Sequence, residues 1–301
     1  MSAEAWPGGL VALRAGPARA LVAPGVGATC VAFAVGGRDV LEVPSSAAEL
    51  LASPARAGCP ILFPFPGRLP GGRHRFDGRE FVLPLNAPEG GMHLHGFTPR
   101  RAWRLVGQTG AMCTCAFDES CLTPEERSGY PWAFLLQVRW SVRAAGVLRA
   151  QVWLENRSPE PLPFGLGLHP YLLVPPEASI DLPATAAWPH VGGVLSGPPE
   201  PTAGPWPWAA LEPATSILLT GLPRGTAKAT AGAAVLRFPA DRFGEVVLYR
   251  PPARASVCVE PWTSVSAAGS LLEAGSPSGL LRLPAGATWR AWAEIGLSKS
   301  S

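Results

Sequence analysis

The chain has 301 residues, 47% of them hydrophobic, enough to bury a sizeable core in one large domain or two smaller ones. Only 16% are charged, against roughly a quarter in an average globular domain, so polar chemistry must rest on few side chains. The net charge of +3 is small and the basic residues are scattered, with no basic stripe or aromatic platform, which argues against a nucleic-acid partner.

The start, Met1-Ser2-Ala3-Glu4-Ala5-Trp6-Pro7, lacks a basic run followed by an apolar one, and no stretch approaches a charge-free spanning length. The expectation is a soluble cytoplasmic protein with no membrane partner. Six cysteines at irregular spacing fit free, mostly buried thiols better than a disulfide framework. Cys113-Thr114-Cys115 puts two thiols on one face of a strand, but no CxxC pair or His accompanies them as a metal site would require.

In chain order, a short helix is expected over 47–56 after Ser45-Ser46. His74-Arg75-Phe76 and Arg79-Glu80-Phe81-Val82-Leu83 flank Asp77-Gly78, a pair suited to the positive backbone angles of a two-residue hairpin turn. Val138, Trp140 and Val142 alternate with polar neighbours; after Ala144-Ala145-Gly146, so do Leu148, Ala150, Val152 and Leu154, predicting a long hairpin with one buried face. The stretch 183–223, dense in proline and tryptophan, is read as long loops. Trp289, Ala291, Ala293 and Ile295 alternate into a final core strand. Thirty-four glycines and 35 prolines punctuate short apolar runs throughout, and long amphipathic helices are nearly absent. The pattern predicts a large all-β sandwich or barrel, with no linker or internal repeat and hence one domain over 1–301.

Three segments carry residue types suited to chemistry. Gly91-Met92-His93-Leu94-His95-Gly96 follows Asn86. Gly165-Leu166-Gly167-Leu168-His169-Pro170-Tyr171 sets one imidazole in an apolar, glycine-punctuated stretch. In Ser256-Val257-Cys258-Val259-Glu260-Pro261-Trp262 an apolar strand ends in a carboxylate, which is costly there unless paired or used. An imidazole near neutral pH and a carboxylate raised by desolvation are a workable acid–base pair. His93-Leu94-His95 invites a metal, but no downstream carboxylate completes a cupin-like set, and His93 is read as structural. His74 and His190 are read as surface or loop residues. No GxSxG or protease-like cysteine is present, and Gly165-Leu166-Gly167 opens no phosphate-cradling helix.

Pro60-Ile61-Leu62-Phe63-Pro64-Phe65-Pro66-Gly67-Arg68, the Asp77-Gly78 hairpin, Asn86 and Leu94-His95-Gly96 resemble, in order, the first half of the aldose 1-epimerase (galactose mutarotase) family. Asn156-Arg157-Ser158, Pro163-Phe164-Gly165 and Leu168-His169-Pro170-Tyr171 are similar to its central motif. Val257-Cys258-Val259-Glu260-Pro261-Trp262 and Leu283-Pro284-Ala285-Gly286 are similar to its C-terminal one. The resemblance spans roughly residues 55–297.

It implies an all-β, large antiparallel β-sandwich of the galactose mutarotase type (supersandwich) with an open sugar groove. No cofactor or metal is required, and the sole partner is a small sugar, bound by a monomer or homodimer. By position, Glu260 would take the proton of the anomeric hydroxyl, His169 would protonate the ring oxygen with His95 assisting, and Arg68 and Asn86 would bind hydroxyls. The acidic sugar-binding residue between the central and final motifs falls on Glu212 or Asp241. Trp262 is read as a stacking platform or a core filler, with stacking favoured beside a sugar groove. Gly67 departs from the asparagine often found before the arginine. The implied activity is aldose 1-epimerase on a neutral hexose or related sugar. The rivals are a sugar-phosphate epimerase using Arg68, Arg100 and Arg101, a non-catalytic carbohydrate-binding module, and a cupin-type metalloenzyme.

Overall fold

The computed structural model describes residues 6–298. Residues 1–5, on which the reading of the N-terminus for a targeting signal largely rests, lie outside them. The chain is mostly strand, with three short α-helices, at Ala47–Ala52, Pro124–Gly129 and Ala268–Glu273, among the described residues. It is an antiparallel β-sandwich.

One layer is a nine-stranded sheet. In sheet order its strands are Arg104–Gln108, Met112–Asp118, Phe134–Arg143, Val147–Asn156, Thr288–Leu297, Ala234–Pro239, Thr226–Ala231, Ser179–Asp181 and Trp206–Pro207. Its centre is the long hairpin expected from period-two patterning: Val138 opposes Val152, Trp140 opposes Ala150 and Val142 opposes Leu148, all six buried. The final strand docks on that hairpin with Ile295 opposite Leu148 and Trp289 opposite Leu154. Alternation is legible here because one face meets the core and the other water.

The second layer runs Glu200–Pro201, Ala186–Trp188, Ser216–Thr220, Glu245–Tyr249, Ser256–Trp262, Gly167–Leu168 and Ile61–Leu62, and Tyr171–Leu173 also pairs with Ser256–Trp262. Its inward face carries Val246, Leu248, Val257 and Val259, which join Trp140, Leu148, Leu236 and Ile295 of the nine-stranded sheet in one core cluster. Each such aliphatic side chain contributes about 1.5–3 kcal/mol by leaving water. The opposite face carries Glu245, Val247, Tyr249, Cys258, Glu260 and Trp262, because register pairs Glu245 with Trp262, Val247 with Glu260 and Tyr249 with Cys258. The site is built on that face. No helix among the described residues is long and apolar enough to cross a membrane.

Several local expectations change. The first helix ends at Ala52, capped by Ser46, rather than running to 56. The stretch 183–223 is not loop alone: two- and three-residue strands, with Ser216–Thr220, extend both sheets. These pieces are too short to show a period. His74 is buried rather than exposed. It stacks on Phe81, lies 4.7 Å from the Phe65 ring and bonds the Gly129 carbonyl at 2.9 Å; burial pushes its pKa down to about 4. Asp77 (φ 51°) and Gly78 (φ 71°) do make the hairpin turn.

Candidate functional site

Ser256–Trp262 is buried along its whole length, so a carboxylate on it is desolvated wherever it points. Glu260, 1% exposed, points away from the aliphatic core, and burial pushes its pKa well above the ordinary carboxylate value. Two effects oppose that rise: the Trp262 indole Nε1–H donates to Glu260 Oε2 at 3.1 Å, and the positive charge of Arg68 lies nearby.

His169 sits in the turn between Gly167–Leu168 and Tyr171–Leu173, its amide donating to the Pro60 carbonyl at 3.1 Å. Its Nε2 lies 3.4 Å from Glu260 Oε1. Tyr171 stacks on the imidazole at 4.9 Å with the rings 3° from parallel, and is itself held by its hydroxyl donating to the Ala55 carbonyl at 2.8 Å. Desolvation lowers the His169 pKa to about 3, so the ring is neutral near pH 7, and its buried Nδ1 has no hydrogen-bond partner. Gly165 and Gly167 are required by close approach: a Cβ at Gly165 would lie 2.3 Å from Ser264 Oγ, and one at Gly167 2.6 Å from the Trp262 ring.

His95 adopts a positive φ of 61°. The backbone of Gly67 grips it twice: the His95 amide donates to the Gly67 carbonyl at 2.9 Å, and the Gly67 amide donates to His95 Nδ1 at 3.2 Å. That second bond assigns the hydrogen of the neutral ring to Nε2. Burial and the neighbouring His169 hold the pKa of His95 well below the ordinary value. Its ring meets His169 edge to face, with centroids 5.4 Å apart. Gly67 itself has φ +78°, and a Cβ there would meet Ser266 Oγ at 2.3 Å and the Trp262 ring at 3.0 Å. The glycine before Arg68 is thus a steric necessity of this site.

Arg68, His95, His169, Glu260 and Trp262 line one cavity of about 170 Å³, which also includes Arg56 and His190. Arg68 donates its amide to Ser266 Oγ at 3.1 Å, while its guanidinium passes beneath Gly193, where a Cβ would stand 2.2 Å from Nη1.

Two residues expected to bind sugar are placed elsewhere. Asn86 does not line the cavity: its side chain accepts from the Leu94 amide at 2.7 Å and donates to the carbonyls of Leu94 and Gly96, so it braces the His95 loop. Glu212 is exposed and is not among the lining residues, although Ala214 in the same turn is; Asp241 is exposed and accepts from the Gly225 amide. Trp262 lines the cavity, but its polar edge is committed to Glu260. Arg100 and Arg101 also lie off the cavity, Arg101 pairing with Glu126 at 2.7 Å. His93 is buried, within 2.7 Å of the Pro84 carbonyl through Nδ1.

Sequence reasoning missed three residues. His190, read as a surface or loop residue, lines the cavity, with Nδ1 accepting from Gly193 and Nε2 against the Ser216 carbonyl at 2.8 Å. Its signal was the Gly192-Gly193 turn that folds it back. Arg56 had no local signal. Glu245 opens an apolar strand much as Glu260 ends one; it is buried, accepts from Trp188 Nε1 and Thr220 Oγ1, and burial pushes its pKa to about 7.

The model of the family described as aldose 1-epimerase matches residues 9–190, a span holding Arg68, His95 and His169 but not Glu260. Two proteins of Escherichia coli (strain K12), "Uncharacterized protein YihR" and "Uncharacterized protein YphB", are each 31% identical to the chain, over 112 and 132 residues respectively. Those matches cover 37% and 44% of this chain and 35% and 42% of the relatives, so the likeness spans less than half of their length. Among solved structures, a galactose mutarotase-like protein from Clostridium acetobutylicum superposes with a TM-score of 0.82 at 18% identity, covering 97% of this chain and 95% of that one. Galactose 1-epimerase from Lactobacillus acidophilus NCFM gives 0.75 at 13% identity, covering 97% and 96%. At these identities the structures share the fold.

Proposed function

The chain belongs to the aldose 1-epimerase family, and we propose that it interconverts the α and β anomers of a free aldose by acid–base opening and reclosure of the ring. The observation that carries this reading is the 3.4 Å separation of His169 Nε2 and Glu260 Oε1 within one cavity. The anomeric hydroxyl and the ring oxygen are bonded to the same carbon, so the groups that exchange protons with them must also lie close together.

Glu260 takes the proton of the anomeric hydroxyl while His169 delivers one to the ring oxygen, and the C1–O5 bond breaks to give the aldehyde. C1 turns about the C1–C2 bond, and reclosure with the roles exchanged yields the other anomer. The pair carries one proton before and after. Desolvation favours the uncharged arrangement, with that proton on Glu260. Arg68 and the indole of Trp262 favour the carboxylate and so bring the reactive ion pair within reach. His95, with its hydrogen on Nε2, is a neutral donor for the ring oxygen, and Arg68 binds hydroxyls. Each acid or base of this kind contributes about 10²–10⁴ in rate.

The test is anomer-resolved proton NMR or polarimetry on a freshly dissolved single anomer across a panel of aldoses. A rate above the spontaneous one is expected, lost in His169→Ala and Glu260→Gln. An unchanged rate across the panel would overturn the activity and, if calorimetry still showed sugar binding, leave a carbohydrate-binding module. Full activity in both variants would overturn the assignment.

A second reading, a sugar bearing an anionic group such as a phosphate, draws on Arg56. Together with Arg68 it puts two guanidinium groups on the cavity, neither engaged in an ion pair or hydrogen bond among the described residues, since both bond only through their backbones, and Glu260 is the one carboxylate on the lining. Competition between hexose and hexose 6-phosphate decides between the readings, with Arg56→Ala raising KM for the phosphorylated sugar alone.

A further inference from the structure

Directly under the acid–base pair lies a thiol that the proposed reaction does not use. Cys258 is two residues before Glu260 on the same strand and therefore on the same face. It is fully buried between Tyr171 and Tyr249, its register partners on the neighbouring strands. The imidazole of His169, the thiol of Cys258 and the carboxylate of Glu260 each present a ligand atom, and these three atoms lie within 4.8 Å of one another. They form the one such group of three found among the described residues.

We propose that Cys258, His169 and Glu260 form a binding site for a thiophilic divalent cation, Zn²⁺ foremost, whose occupancy blocks the cavity. Tetrahedral zinc holds nitrogen and oxygen ligands at about 2.0–2.1 Å and sulfur at about 2.3 Å, so neighbouring donors stand about 3.4–3.6 Å apart. The His169–Glu260 edge, at 3.4 Å, already has that length. The three atoms lie within 4.8 Å of one another, so closing the two edges to sulfur requires at most about 1.2 Å of movement in the Cys258 or Glu260 side chain. The unpartnered His169 Nδ1 leaves the ring unconstrained by a second hydrogen bond. One sulfur, one imidazole nitrogen and one carboxylate oxygen select Zn²⁺ or Co²⁺ over Mg²⁺ or Ca²⁺, which need oxygen-rich shells. Binding is an exchange of metal for protons: the thiol and, where protonated, the carboxyl release theirs to solvent, and nothing is oxidised or reduced. Two of the three ligands, His169 and Glu260, line the cavity, so a metal held by them stands at its wall.

Metal binding itself does not depend on the epimerase reading; the inhibition it causes does, because the metal's ligands include the proposed acid and base. Metal-free protein is titrated with Co²⁺ and followed by its thiolate-to-cobalt charge-transfer absorption, then with Zn²⁺ as competitor. Anomer exchange is measured in parallel. One equivalent of Co²⁺ is expected to produce the band, Zn²⁺ to abolish it, and Zn²⁺ to inhibit exchange reversibly on chelation. In Cys258→Ala the band disappears and half-inhibition, measured against that variant's own metal-free turnover, needs at least tenfold more Zn²⁺. Cys258→Ser, closer in size, serves if the alanine variant melts early. Absence of the charge-transfer band in the wild type, or equal Zn²⁺ affinity in wild type and both variants, overturns the site. Lack of turnover in the metal-free protein overturns the epimerase reading and leaves the absorption test intact.

Discussion

Trp262 Nε1 donates to Glu260 Oε2 at 3.1 Å, two residues along one face of one strand, so that Oε1 alone is left to face His169. The indole therefore aims the carboxylate, and a Trp262→Phe variant separates this role from stacking, since phenylalanine keeps the ring and loses the donor. A hydrogen bond to a charged group is worth about 1.5–3 kcal/mol, so turnover at pH 7 falls about tenfold or more. The donor holds the pKa of Glu260 down, so its loss raises that pKa and moves the acidic limb of the pH–rate profile to higher pH. A variant with unchanged turnover and profile would leave stacking as the role.

Gly67 and Gly193 both have positive φ, yet their alanine variants should differ. At Gly67 a Cβ meets Ser266 Oγ and the Trp262 ring, which are packed, so the left-handed penalty of about 1–2 kcal/mol adds to displacement of His95. Gly67→Ala should lower both the melting temperature and kcat. At Gly193 the Cβ meets the far end of the flexible Arg68 side chain, which can move aside at the expense of its position in the cavity. Gly193→Ala should raise KM with a smaller change in kcat, read from steady-state anomer exchange.

Asn86→Ala tests the bracing role. Leaving the Leu94 amide and the carbonyls on either side of His95 without their partner should cost about 1–3 kcal/mol of stability by denaturant unfolding. Turnover should fall with it. A sugar ligand would instead show as a raised KM at unchanged stability.

Glu245 carries a pH signature of its own. Its folded-state pKa of about 7 lies above the ordinary 4.5, so the stability it contributes is fully present below pH 4.5 and is lost as pH rises through 7. His74, depressed to about 4, acts the other way: its contribution is present above pH 6.5 and is lost on acidification towards 4. Glu245→Gln removes only the first. The stability of the variant relative to wild type should therefore rise between pH 5 and 8, by at most about 3 kcal/mol. A constant difference across that range would show that Glu245 titrates normally.

The elements legible in the sequence are those whose signal is local. The Phe134–Arg143 and Val147–Asn156 hairpin and the last strand are long enough for a two-residue period, and Asp77-Gly78 has backbone requirements of its own. The short strands within 183–223 had no such signal, since two or three residues show no alternation and the burial of Ser216–Thr220 does not alternate. His74 was misread because Phe65 and Tyr130, which arrive from other segments, cover the hairpin face it shares with its cross-strand partner Phe81.

For the site, the sequence by itself determined the residue types and their order: a histidine after Leu94, another among glycines at 169, and a carboxylate ending an apolar strand at 260. Only the tertiary structure decided their use. It brings residues 91 positions apart to 3.4 Å, buries them so that both pKa values shift, turns Asn86 and Trp262 into supports, leaves Glu212 outside, and adds Arg56 and His190. Desolvation and proximity belong to the packed sheet face, where strand register rather than sequence spacing sets which side chains meet.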